Sequence, residues 1–257
     1  MRKLSINRNF WIAAACAVLV FVLAESFTAK HVAHAQTSFS PFTLRQETRM
    51  FDAKNDGLLI DIKTVARRSD GARVEIGHIF GTRGLQAGDN ARKIALPDGE
   101  VLTAYDHLRA ATRWDSAEAR KRQRDMLFNI PGGCVGSKEQ SIGKETIMGH
   151  ETVAVVWPGP IEPRVTQWRA LDLNCEALRA RIEDKQPDGT YKVHNEISTV
   201  SLVPGEPDPT LFSVPQDYKD LKPSEIMHNE IVKLGGNWNP DLEKQAQQSD
   251  AQYDKYH

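Results

Sequence analysis

The stretch LLIDIKTVARRSDGARVEIGHI, residues 58–79, reads as two strands and the turn between them. Leu58 to Arg68 and Ala72 to Ile79 are rich in β-branched and apolar residues. Ser69-Asp70-Gly71 supplies the turn, because a tight hairpin needs positive φ and glycine adopts it without steric cost. A chain that opens this way predicts an antiparallel, β-rich fold.

The same pattern recurs on both sides. Arg92 to Leu96 and Glu100 to Tyr105 flank Pro97-Asp98-Gly99, and strands are predicted over Glu151 to Trp157, Arg164 to Asp172 and Glu176 to Asp184. Pro187-Asp188-Gly189 then leads into Thr190 to Val203. Gly-x-Glu-Thr occurs twice, six residues apart at Gly143 and Gly149, and reads as two strand edges around a turn at Gly149. Only two segments read as helices. One runs from a cap at Asp115, with Glu118 three residues on, to about Leu127. The other is Pro223 to Leu234, where Ile226, Met227, Ile231 and Leu234 recur at helical spacing. Residues 236–257 are polar and glutamine-rich, and read as a mobile tail or loose helix.

The N-terminus has the order of a signal peptide. Arg2, Lys3 and Arg8 precede the uncharged run Trp11 to Ala24, and Ala33-His34-Ala35 offers small residues for cleavage before Gln36. The apolar run is shorter than the roughly 20 residues a membrane-crossing helix needs, so no permanent membrane anchor is expected. The organisation is therefore read as a signal peptide over 1–35, one β-rich domain over 36–235 and a polar tail over 236–257, with the protein periplasmic or secreted. Cleavage would remove four of the 33 basic and one of the 34 acidic residues, leaving a net charge of −4. That balance gives no reason to expect nucleic acid as a partner. Of the three cysteines, Cys134 and Cys175 remain, and a lone pair in an oxidising compartment predicts a disulfide.

No residue pattern predicts catalysis. Gly132-Gly133-Cys134-Val135-Gly136 has the form of a cysteine nucleophile elbow but lacks the strand before it and the helix after it. His78, His107, His150, His194, His228 and His257 are never within four residues of one another, so they offer no short-spaced ligand pair and no metal site is expected. No cofactor is expected either. The aromatics Trp114, Trp157 and Trp168, with Phe51, Phe80 and Phe128, lie in or beside predicted strands, where they serve a β core or the wall of a hydrophobic site.

Three segments carry a family resemblance: GKETIMG (143–149), WRALDL (168–173) and PTLFSVPQDY (209–218) followed by Pro223-Ser224-Glu225. Together they resemble a family of uncharacterised exported proteins of acidobacterial type. The ending and the strand-rich order are also similar to the LolA-like periplasmic carriers that ferry lipoproteins to the outer membrane. This resemblance implies a curved antiparallel sheet forming a half-barrel, with a few covering helices enclosing an apolar cavity. The expected function is a periplasmic binding or carrier protein for a lipid, an acylated protein or another hydrophobic ligand, with Trp168 as the ligand-facing residue. The alternative is an envelope interaction or sensor module that meets another envelope protein without a small ligand.

Overall fold

The computed structural model describes residues 38–52, 56–78, 90–128, 131–157, 163–233 and 237–256. The expected leader, residues 1–35, and Phe80 lie outside these, as does the side chain of Phe128. The first six strands are β1 (Phe42–Phe51), β2 (Asp56–Arg67), β3 (Arg73–His78), β4 (Asn90–Ala95), β5 (Val101–Tyr105) and β6 (Ala110–Trp114). Helix α1 (Ala117–Phe128) leads to β7 (Gln140–Ile147), β8 (His150–Val156), β9 (Arg164–Ala170), β10 (Ala177–Lys185), β11 (Tyr191–Pro204) and the short β12 (Lys219–Asp220). Helices α2 (Pro223–Lys233) and α3 (Pro240–Tyr256) follow.

All twelve strands lie in one curved, open sheet, in the order β12-β6-β5-β4-β3-β2-β1-β11-β10-β9-β8-β7. Two meanders, β1 to β6 and β7 to β11, are joined where β1 pairs with β11, Phe42 opposite Pro204. Every pairing is antiparallel except β12 on β6, where Lys219 lies beside Ala110. The expected curved antiparallel sheet with a few helices is the architecture found.

Turn chemistry fixes the hairpins. Gly71 takes φ +94°, and a Cβ there would stand 2.6 Å from the Phe39 ring. Gly99 takes φ +91°, and its missing side chain admits the Arg120 carbonyl of α1, with which any Cβ would collide. That glycine therefore makes the turn and lets a helix dock on it.

Pairing assigns side chains to the two faces, since residues directly opposite each other share a face. One face carries Lys63, Val65 and Arg67 of β2 with their partners Glu75 and Arg73 of β3, then Lys93 of β4. Helices cover this face. Ile226 of α2 packs on Ala91, Tyr105 and Ala110, and Tyr253 of α3 meets the Trp114 ring edge-on at 5.3 Å. On the other face Ala66, Val74, Ile94, Leu102 and Ala104 are sealed by Phe212, from the segment that crosses towards β12. Fully buried side chains such as Phe42, Leu44, Val65 and Ile94 each contribute about 1.5–3 kcal/mol.

Three local readings are corrected. The cap of α1 is Ser116, whose Oγ accepts from Ala119 N at 3.2 Å, one residue beyond the expected Asp115. The polar end is not loose: α3 fills 17 of its residues and buries Ala246 and Tyr253. Two apolar contacts a few turns apart anchor a helix whose remaining surface is polar, which composition alone cannot reveal. The strand β6 is absent from the expected set because AATRW has little alternation, both faces of it being covered.

Candidate functional site

The cleft lies on the helix-bearing face, at the junction of the two meanders. Its volume is about 270 Å³. Its lining is mixed: Gln46, Lys63, Arg73, Glu75, Gln167 and Glu176 are polar, and Met126 of α1 with Ala177, Ala180 and Ile197 is apolar, Gln167 lying directly opposite Ala180. The volume is slightly below the roughly 300–1,000 Å³ of most small-molecule pockets, and it suits a head group with a short stretch of chain.

The polar side chains are organised around Glu176. Arg73 donates from Nε to Oε2 at 3.1 Å and from Nη2 to Oε1 at 2.8 Å, a two-point grip between residues 103 positions apart. Arg67 adds a longer contact to Oε2 at 3.4 Å and lies over the Phe39 ring at 5.3 Å. Arg73 also pairs with Glu75, and Lys63 Nζ lies 3.5 Å from the same carboxylate. Gln46 donates to the Ala177 carbonyl at 2.7 Å, tying β1 to the start of β10.

Burial penalises each of these charges, and the pairs decide which ones hold. For Glu176 burial pushes the pKa up, but Arg73, then Arg67, outweigh it and hold the carboxyl below its ordinary range. Glu75 is likewise pushed up by burial and held far down by Arg73 and Lys63. Burial lowers Arg67, and it lowers Lys93 with Arg73 and Lys63 adding to the effect.

Covalent and hydrogen-bonded supports surround this cluster. Cys134 and Cys175 form the expected disulfide, with Cα atoms 5.2 Å apart. The bond ties the 131–139 loop to the loop that delivers Glu176 in the next position. Arg169 reinforces it, gripping Glu139 at 2.7 Å with both Nη atoms and donating to the Cys134 carbonyl at 3.1 Å. With its sulfur in the disulfide, Cys134 has no thiolate to act as the nucleophile that its glycine-flanked motif suggested.

Trp168, expected to face the ligand, is buried on the opposite face. It pairs with Arg179 and Ala154, while its neighbour Gln167 lines the cleft. The guanidinium carbons of Arg179 and Arg181 lie 4.0 and 5.4 Å from its ring centroid. The histidines are dispersed: His107 meets Glu230, His150 Nδ1 lies 2.7 Å from Asp172, and His228 stacks edge-on against Trp238. Among the described residues no group of three metal-binding side chains converges, and no helix is long and apolar enough to cross a membrane.

A second, more open cleft of about 370 Å³ lies between α2 and α3. Asp250 of α3 holds the helices together, accepting from Ser224 N and Oγ at 3.0 and 2.6 Å, while Glu225 closes the start of α2 by accepting from Lys222 N at 2.8 Å. Those roles leave it the weaker candidate.

No family model and no curated protein matches the sequence. Solved structures do. An uncharacterised conserved protein from Thermus thermophilus is 11% identical, with 71% of this chain and 90% of that one covered and a TM-score of 0.44. The MucA/MucB complex of Pseudomonas aeruginosa contains a chain 14% identical, at a TM-score of 0.40 over 74% of this chain, which spans only 60% of that one. These are distant likenesses of overall shape and do not bear on what this chain binds. A LolA superfamily protein from Nitrosomonas europaea is also among them, at 9% identity, 69% and 93% coverage and a TM-score of 0.31.

Proposed function

We propose that this is an exported binding protein of the cell envelope that holds an amphiphilic ligand in the cleft between Lys63 and Met126. The observation that carries the reading is the mixed lining, in which charged and amide side chains share the cleft with apolar ones. A purely apolar chain would further desolvate the Lys63 ammonium and the amides of Gln46 and Gln167 without offering them a partner, which costs free energy. A purely polar ligand would waste the apolar side chains of Met126, Ala177, Ala180 and Ile197. Met126 at the mouth is 42% exposed, and its flexible thioether adapts to ligands of different shape. The leader-like residues 1–35 support export, with the mature chain beginning at Gln36.

The carrier reading narrows accordingly: the part of a lipid or acylated protein that enters is a head with a short stretch of chain. An envelope interaction module is the second reading, favoured by the small volume, which also accepts one amphipathic side chain or chain end of a protein partner. Native mass spectrometry of protein purified from its own envelope tests the proposal. A co-purifying amphiphile, lost in an Ala180→Trp variant that fills the cleft, is the expected result. A ligand-free protein that also fails to bind added amphiphiles would overturn it.

A further inference from the structure

The lining itself balances, Lys63 and Arg73 against Glu75 and Glu176, and the excess of positive charge comes from the cations packed beside it. Glu75 and Glu176 are surrounded by Lys63, Arg67 and Arg73, and Lys93 stands beside Glu75 on the neighbouring strand. Three cations thus face two carboxylates before Lys93 is counted. Positive charge stays in excess even when Asp61, two residues from Lys63 on the same strand face, is set against Lys93. The groups that shift one another electrostatically here are members of this cluster. In addition, Nε of Arg67 is buried with no hydrogen-bond partner, on a side chain only 8% exposed. Native interiors seldom leave a buried donor unanswered or a buried charge uncompensated.

We infer that the ligand's polar end is an anion, a carboxylate or phosphate, received by Lys63 and Arg73 while its apolar portion lies along Ala177, Ala180 and Ile197. This rests on the proposed amphiphile site and adds the sign of the head group. An anion entering a partly desolvated, positively biased cleft gains charge-assisted hydrogen bonds and restores neutrality, and cleft walls of low dielectric concentrate the attraction.

Calorimetric titration of the full mature chain with octanoate, octanol, octyltrimethylammonium and acetate tests it. Octanoate is expected to bind about tenfold or more tightly than octanol, the gain of one or two charge-assisted hydrogen bonds, and octyltrimethylammonium most weakly. Lys63→Gln, at a half-buried position outside the apolar core, should narrow the octanoate-to-octanol gap several-fold. Because Lys63 also pairs with Glu75, its unfolding midpoint should fall somewhat, so the titration is run well below that midpoint, where the variant is folded. Equal binding of octanoate and octanol, or a gap unaltered by Lys63→Gln, overturns the inference and leaves the amphiphile site standing. Binding of acetate as tightly as octanoate marks a small-anion site and overturns the amphiphile reading instead. No binding by any of the four overturns both.

Discussion

Arg73 and Glu176 join the two halves of the sheet, the guanidinium on β3 gripping a carboxylate delivered by the loop before β10. Pairing of β1 with β11 brings the meanders together, and this contact crosses the seam on the helix-bearing face.

Removing one partner should therefore be costly. Glu176→Gln leaves Arg73 and Arg67 with a buried excess of charge, and is expected to lower stability by about 3–5 kcal/mol in urea unfolding. A loss below about 1 kcal/mol would show that water or neighbouring groups already compensate these cations.

The pH dependence has a defined sign. Glu176 and Glu75 are both held below their ordinary value of 4.5, so the stability they contribute is fully present above about pH 4.5. It is lost as pH falls from there towards their depressed folded values. The urea midpoint should drop between pH 5 and about pH 3, and drop less in Glu176→Gln. Equal slopes in the two proteins would contradict the assignment.

The disulfide closes a separation of 41 residues. Chain entropy alone makes its removal in Cys134→Ala/Cys175→Ala worth up to about 4 kcal/mol. Thiol labelling of the exported protein, denatured but not reduced, should modify neither cysteine. Because Glu176 follows Cys175 directly, the same variant should also weaken octanoate binding.

Gly99→Ala should cost at least about 1 kcal/mol, since positive φ and the Arg120 carbonyl both exclude a side chain. Thermal unfolding measures this, and protease susceptibility of α1 should rise with it. A neutral result would mean that α1 can shift without loss.

Hairpins were legible because their cause is local. Asp70-Gly71, Asp98-Gly99 and Asp188-Gly189 each sit between strands that pair as neighbours. The site was not legible, for two reasons. Arg73 and Glu176 are 103 residues apart, and each alone is an ordinary strand or loop charge. The face of Trp168 depends on register, and one position separates it from Gln167 in the cleft. Buried charge was the signal available in sequence: Lys63, Arg67, Arg73 and Glu75 alternate within the very strands whose apolar residues announced the fold.

Nuclear magnetic resonance mapping of octanoate on the isotopically labelled protein tests the cleft most directly. The amide and methyl shifts of Lys63, Gln167, Ala177, Ala180 and Ile197 should move together and saturate, while Trp168 and Arg179 on the opposite face stay still. Shifts centred on Trp168 and Arg179, or none at all at millimolar octanoate, would contradict a ligand site in this cleft.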